Sequence, residues 1–439
     1  MTSNPKNLLF ISFDDMVAVW NYRTTFGPTL ATPNLDRICA QSTAFHAAYA
    51  QAPVCSPSRA SFMSGLSPHQ TGVLTSDSRY FDKVPPEALW PWRLRQAGYH
   101  CSPGGKVMRG YVPLPAEVHD KIFSVPPEAF SLERSPQVQR QRNLPGRIET
   151  GGFRGGWATT DPAADAGLYD HQVAASAEAF LAGYAGAAPF YREVGFAGTH
   201  GPWTTPLRFK EMYDPKSVKR PHAWRQGFDD CPVMDEIAPK HFNSSHYRFW
   251  SKSLRNYFAA ITYVDDRLGR VWDALKASRH ADNTLVILTS DHGLHLGERE
   301  RFRKHTLWEQ VANVPLIVHD PTRPEARVVS DPVALMDIAP TVADYLALPP
   351  GPNYIGRSLR PYVEAGFTDP DRAVPTFLDD NAAIRKGRYR YIRYRDGSEQ
   401  LFDLDADWWQ TRSLGPDHPA APEMRAVLEA TCAEYGARS

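Results

Sequence analysis

The chain has no CxxC pair, no histidine–cysteine cluster, no long run of one charge and no stretch of about 20 apolar residues. Each absence removes a class of function. Its five cysteines (Cys39, Cys55, Cys101, Cys231 and Cys432) are widely spaced, which argues against a zinc site or a dense disulfide framework. The count is odd, so at least one thiol is free or chemically committed. Lys and Arg together number 49, as do Asp and Glu. No nucleic-acid partner, no anionic membrane surface and no groove for long polyanions is therefore expected; a small substrate fits this balance better. Residues 1–6 lack the apolar core of a secretory signal, so the expectation is a soluble, cytoplasmic protein, or a periplasmic one if a leader was trimmed. Internal repeats and low-complexity tracts do not occur either.

What is present suffices for a large interior: 42% hydrophobic and 12% aromatic residues over 439 positions, more than one ordinary core holds. Apolar runs at 8–13, 189–196, 284–289 and 314–318 are nearly continuous, as buried parallel strands are. Between them lie helical patterns. The clearest, over 253–278, repeats Leu254, Phe258, Ile261, Val264, Leu268, Trp272 and Leu275 every three to four residues. Alternating strands and helices predict an α/β fold with a mostly parallel sheet sandwiched by helices. From about residue 368 the texture changes. Residues 383–394 alternate around Tyr389, Tyr391 and Tyr394, Asp396-Gly397 signals a turn, 400–404 reads as a second hairpin strand, and 422–435 as a closing helix. The expected division is a catalytic α/β domain over 1–367 and a small antiparallel subdomain over 368–439. Residues 130–166, rich in Pro, Gly, Arg and Ser without periodicity, read as a long surface excursion.

In open parallel sheets ligands bind beyond the carboxyl ends of the strands. Three expected strands end in chemically useful residues: Asp14-Asp15, Ser290-Asp291-His292-Gly293, and Thr199-His200. Singly these are bland, since a strand-end Asp is usually a helix cap, Asp-x-Gly is common turn chemistry, and a lone loop histidine is usually just hydrogen-bonded. Together they make an oxygen-rich cluster suited to a hard divalent cation, Ca²⁺ or Mg²⁺ ahead of zinc. The run Cys55-Ser56-Pro57-Ser58-Arg59 lifts the functional reading. Ser56 reads as an N-cap with Pro57 at the first helical position, and Gly65 as the stop. Cys55 then stands at a helix N-terminus that favours an anion, with Arg59 one turn on. A buried structural cysteine would not need Pro57 and Arg59 at this spacing. A cysteine-phosphatase loop would need Arg at position 61, which is Ser61.

Cys55-Ser56-Pro57-Ser58-Arg59 resembles the Cys-x-Pro-x-Arg signature of type I sulfatases in the alkaline-phosphatase superfamily, where the cysteine is oxidised to formylglycine. The resemblance continues in order through Phe13-Asp14-Asp15, Thr32-Pro33-Asn34-Leu35-Asp36, Gly105-Lys106, Thr199-His200-Gly201-Pro202, Asp291-His292-Gly293, Lys304 and Val314-Pro315-Leu316. Leu296-Gly297-Glu298 is closest to the iduronate-2-sulfatase and choline-sulfatase branches. It implies an α/β domain bearing the site and a C-terminal four-stranded antiparallel sheet with a helix. It also implies that Asp14, Asp15, Asp291 and His292, with an oxygen of modified Cys55, ligate one divalent cation: Ca²⁺, with Mg²⁺ or Mn²⁺ as alternatives. Arg59 and the metal would hold the gem-diol of position 55, Lys106 and Lys304 the sulfate oxygens, and His200 the bridging oxygen of the leaving alcohol. The covalent sulfate hemiacetal would then collapse to the aldehyde. The implied partners are a small sulfate ester and a formylglycine-generating maturation enzyme. One departure stands out: a histidine normally follows the Gly-Lys pair by two or three residues, and here Val107-Met108-Arg109 follows. Arg109 is a candidate substrate-binding cation in its place, but a guanidinium cannot act as a base. The competing expectations are a phosphonate monoester or phosphodiester hydrolase of the same superfamily, and a sulfatase-like binding protein that has lost catalysis.

Overall fold

The computed structural model describes residues 6–76, 80–108, 114–128, 146–153, 156–241, 246–349, 351 and 353–437. Its centre is a sheet whose strands run in the order Arg327–Val329, Thr43–Tyr49, Asn313–His319, Thr284–Ser290, Asn7–Phe13, Phe190–Gly195 and His100–Ser102. Val333–Ala334 adds an eighth strand beside Tyr49. All neighbours are parallel except Asn313–His319, which is antiparallel to both of its own. That reversal was not visible in residues 314–318, because a fully buried strand is apolar throughout whichever way it runs.

The strands are apolar on both faces because both are covered. Leu9, Ile11 and Phe13 enter one cluster with Val286, Leu288 and the helices Tyr169–Gly183 and Tyr247–Ala277. Leu8 and Phe10 enter the other with Leu285, Ile287 and the helices Cys55–Ser64, Trp90–Gln96 and Ile338–Tyr345. This period of two is the pleat itself. Each such side chain contributes roughly 1.5–3 kcal/mol of burial, so the strand pair 7–13 and 284–290 forms a rigid base for whatever follows it. The helix Tyr247–Ala277 starts six residues before the expected 253 and buries all seven of the periodic residues. No helix among the described residues is long and apolar enough to cross a membrane.

The C-terminal sheet has four antiparallel strands in sequence order: Val374–Leu378, Asn381–Lys386, Tyr389–Arg393 and Glu399–Asp403, covered by the helix Ala421–Glu434. The stretch 383–394, read as one strand, is two. Gly387 turns the chain at φ 51°, and Lys386 pairs with Tyr389, so the alternation carries across a tight turn and hides it. The Asp396-Gly397 turn does join the next pair, Arg393 to Glu399. The two sheets share a core: Ala47 and Tyr49 pack with Val374, Ile384 and Leu428, and Phe377 N–H donates to Gln51 O at 2.9 Å. Of the excursion at 130–166, residues 130–145 and 154–155 lie outside the described residues. The rest is partly regular, with Arg147–Glu149 and Trp157–Thr159 pairing with each other and Trp157–Thr159 with Thr204–Pro206.

Candidate active site

Four adjacent strands deliver their ends to one edge of the main sheet. Phe13 pairs with Ser290, so Asp14-Asp15 and Asp291-His292 emerge side by side. Asp15 turns at φ 63°, which lets its N–H donate to Asp291 Oδ1 at 3.0 Å while Met16 N–H donates to Ser290 Oγ at 2.9 Å. From the next strand, Phe190–Gly195, the chain runs into Thr199, whose hydroxyl donates to Asp14 O at 2.6 Å, and then His200. The edge strand His100–Ser102 leads to Gly105, at φ 76°. A Cβ on Gly105 would stand 2.3 Å from Gly195 O, and one on Gly195 would stand 2.2 Å from Lys106 N. Only this glycine pair lets the Lys106 backbone press against the strand end.

Cys55 and Arg59 come from the helix Cys55–Ser64, stopped as expected by left-handed Gly65. Its N-cap is Val54, not Ser56: Ser58 N–H already donates to Val54 O, and Ser58 Oγ is drawn to Asp291 O at 2.5 Å. Cys55 is thus the first helical residue. Its Sγ lies 2.8 Å from Lys304 Nζ, 3.3 Å from His292 Nε2 and 3.7 Å from Asp14 Oδ1.

Arg59 is wholly buried and points inward. Nε donates to Asp291 Oδ2 at 3.0 Å, Nη1 to Ser12 Oγ and to the carbonyls of Lys106 and Val107, and Nη2 to Phe13 O and Asp14 Oδ1. It braces two carboxylates and the Lys106 loop at once, which a lysine could not do. Burial disfavours its charge, but Asp291 and Asp14 more than compensate and raise its pKa. Lys106 Nζ donates to Asp14 Oδ2, and Lys304 Nζ to Asp15 Oδ1 at 2.6 Å. Burial opposes ionisation of both aspartates, yet the surrounding cations, Lys106 foremost for Asp14 and Lys304 for Asp15, hold both well below the carboxylate range. Three carboxylates therefore face three fixed cations.

His292 Nδ1 meets Gly293 O at 3.0 Å, which turns Nε2 toward Cys55, Asp15 Oδ1 at 3.4 Å and Asp291 Oδ2 at 3.7 Å. Burial works against its protonation, but Asp291, Cys55 and Asp15 raise its pKa to about 9. A place so favourable to an imidazolium is a place for a cation. Ligand atoms of Asp15, Cys55 and His292, and of Asp14, Cys55 and Asp291, lie within 4.8 Å of one another. Among the described residues none donates a hydrogen bond to the buried Asp15 Oδ2, a cost that a metal ion would remove. The donor set, three carboxylates and one imidazole, fits a hard divalent cation. His200 lies on the outer side of this group, Nε2 3.9 Å from Asp15 Oδ2, and burial, against the pull of Asp15 and Asp14, lowers its pKa to about 4.

Nine of the ten residues singled out in the sequence thus come together; Arg109 lies outside the described residues. Sequence reading missed Tyr257, whose hydroxyl donates to Asp15 O at 2.6 Å and accepts from Val17 N–H at 3.1 Å. It occupies a core position of the helix Tyr247–Ala277, and periodicity counts it as packing. The aromatics that lie near these motifs in sequence serve packing: Tyr80, Trp90 and Trp203 are buried in the core, and Trp20 and Trp92 pack against it. A cavity of about 260 Å³ is instead walled by Trp224, Phe228 and Trp308 with Arg299 and Arg301, and by none of the nine clustered residues.

A family model described as Sulfatase matches residues 6–348. A sulfatase of Formosa agariphila is 29% identical, over 99% of this chain and 88% of its own length. The choline-sulfatase of Rhizobium meliloti is 28% identical (98% and 86%), and the iduronate 2-sulfatase of Homo sapiens 25% (91% and 76%), so both expected branches are among the relatives. Among solved structures, the phosphonate monoester hydrolase of Agrobacterium radiobacter superposes with a TM-score of 0.76 at 22% identity, covering 98% of this chain and 95% of that one. A structure solved in complex with its substrate D-glucosamine-2-N,6-O-disulfate gives 0.76 at 19% identity (99% and 98%). These two likenesses show the fold: a mostly parallel α/β sheet with a small C-terminal antiparallel sheet. The chain, matched by the family model over most of its length, belongs to the sulfatase family.

Proposed function

We propose that this protein hydrolyses a small sulfate ester with a nucleophile made from Cys55 by a formylglycine-generating enzyme. The observation that carries the reading is the position of Cys55 Sγ, 2.8 Å from Lys304 Nζ and 3.3 Å from His292 Nε2, over a buried carboxylate cluster. Formylglycine, as the hydrated aldehyde, would supply one hydroxyl to attack sulfur and a second whose electrons expel sulfate. A divalent cation, Ca²⁺ first among the candidates, would be held by Asp14, Asp15, Asp291 and His292 and would supply Lewis acidity and lower the pKa of that hydroxyl.

The chain's own residues do the rest. Lys304 reaches Cys55 and Asp15, and Lys106 reaches Asp14, so when a sulfate group enters they would neutralise its oxygens and the charge that grows there in the transition state. Arg59 holds Asp14, Asp291 and the Lys106 carbonyl in place and adds fixed positive charge beneath the nucleophile. Tyr257 and Thr199 fix the carbonyls of Asp15 and Asp14, so neither carboxylate swings away when its lysine turns to substrate. His200, largely buried beside Asp15, is placed to handle the proton of the leaving alcohol.

The deciding experiment co-expresses the chain with a maturation enzyme, checks position 55 by peptide mass spectrometry, and compares kcat/KM for a sulfate monoester and a phosphonate monoester with one leaving group. Formylglycine at 55 and preference for sulfate are expected. Preference for the phosphonate, or turnover with an unmodified thiol, overturns the proposal.

A further inference from the structure

Lys304 sits on a segment with little regular structure. Between His292 and Glu309 the only element is the short turn Glu298–Glu300, and Arg299, Glu300 and His305 all take left-handed backbone angles (φ 52°, 57° and 71°). No helix or sheet ladder fixes such a backbone; isolated backbone bonds, such as His305 N–H to Pro53 O at 3.3 Å, and side-chain bonds hold it instead. His295 makes one tie of each kind, one on either flank of Lys304. Its backbone N–H donates to Arg303 O at 3.0 Å, and its ring Nε2 meets Thr306 Oγ1 at 2.6 Å. The other ring nitrogen, Nδ1, meets Glu298 Oε1 at 2.6 Å, and the second oxygen of Glu298 accepts Leu296 N–H at 2.9 Å. Trp250 Nε1 donates to Leu296 O at 2.6 Å and anchors the arrangement to the long helix.

His295, Glu298 and Thr306 are completely buried. The chain Thr306–His295–Glu298 has the order of a hydroxyl–imidazole–carboxylate relay, but burial denies it a substrate. Burial lowers the pKa of the ring despite Glu298 and favours its neutral form; Glu298 can only accept, which puts the proton on Nδ1 and leaves Nε2 to accept the Thr306 hydroxyl proton. The unit is therefore mechanical. It ties the residues after the Asp291-His292 strand end to the residues after Lys304, with Lys304 Nζ reaching Asp15 and Cys55 from between the two ties.

We infer that His295, oriented by Glu298 and acting through Arg303 O and Thr306 Oγ1, is the positioning residue that holds Lys304 over position 55. This rests on the reading that Lys304 grips the anion. A lysine carries four rotatable bonds, and its catalytic value depends on where its Cα is held.

The test is a double-mutant cycle in matured, Ca²⁺-loaded enzyme, reading the affinity for inorganic sulfate by calorimetry alongside kcat/KM for a sulfate monoester. Thr306→Val keeps the shape and removes the hydroxyl; it is expected to weaken sulfate binding and lower kcat/KM by about 10-fold or more, as loss of an outer partner does. Thr306→Ser is expected to stay within about 2-fold of the native protein. In a Lys304→Ala background, Thr306→Val is expected to cost less than about 2-fold further, because the interaction it served is gone. Equal losses in both backgrounds mean a general structural role and overturn the inference, as does no loss in the native background or no sulfate binding by the native protein. Should Thr306→Val fail to fold, Glu298→Gln is carried through the same cycle with the same criteria. Sulfate binding that follows the expected pattern without ester turnover leaves this inference standing and refutes the proposed activity.

Discussion

Replacing Arg59 by methionine removes the cation on which the carboxylate cluster is built while keeping most of the side-chain volume. The guanidinium makes hydrogen bonds to Asp14, Asp291, Ser12 and three carbonyls, all with no exposure to solvent. Removing one partner of a buried pair costs about 3–5 kcal/mol, because the remaining charge stays buried. With an unfolding entropy of about 2.1 cal/mol/K per residue, a chain of this length loses about 0.9 kcal/mol per degree, so Tm should fall by about 3–5 °C. The fall should be largest with a chelator present and smaller with excess Ca²⁺, because a cation on Asp14 and Asp291 replaces part of the lost charge. Arg59→Lys should recover only part of the loss, since an ammonium cannot span six acceptors. Scanning calorimetry of the three proteins in EDTA and in Ca²⁺ decides the matter. A drop below about 1 °C in EDTA, or an identical drop in both conditions, refutes the reasoning.

Three further outcomes are expected. Cys55→Ala should abolish turnover, while Cys55→Ser should react once and stay sulfated, since it lacks the second hydroxyl; intact-mass spectra after incubation with substrate show this, and sustained turnover by either contradicts the mechanism. His200→Gln should lower kcat far more for an alkyl sulfate than for a nitrophenyl sulfate, whose leaving group needs no proton; equal losses would exclude a role at the leaving oxygen. Glu193, buried under the sheet, has its carboxyl pushed up to about 8 by burial, although Tyr191 and Arg192 oppose the shift. Its folded form keeps a proton that the unfolded chain loses, so this group's contribution falls as pH rises from about 4.5 to 8. The Tm of Glu193→Gln relative to the native protein should therefore be more favourable at pH 8 than at pH 5, and the opposite order would contradict the assignment.

Much of the site is legible in the sequence because its parts are locally marked. Asp14-Asp15 and Asp291-His292 each follow an abrupt end of an apolar run, and a run buried on both faces belongs inside a parallel sheet. Cys55, Arg59 and Gly65 share one short helix, whose stop is a glycine at φ 72°. These signals live within ten residues and need only backbone periodicity and turn chemistry. The boundary errors lie where a local pattern has more than one structural solution. Ser56 is not the cap because Ser58 N–H already donates to Val54 O, which starts the helix at Cys55. The stretch 383–394 became two strands because a turn at Gly387 leaves the alternation intact.

The sequence by itself determined which segments become strands and helices, that three carboxylates and a cysteine stand at their ends, and the family to which that order of residues belongs. Tertiary structure alone decided how they act together. The register of Phe13 against Ser290 sets two aspartates abreast, the Gly105–Gly195 approach presses Lys106 against them, and Arg59 turns inward to brace them all. Tyr257 and the His295–Glu298–Thr306 unit became visible only there. The physical reason is distance along the chain: a periodic pattern reports what a residue does to its own segment, whereas a site assembled from positions 14 to 304 depends on packing among segments that no local pattern records.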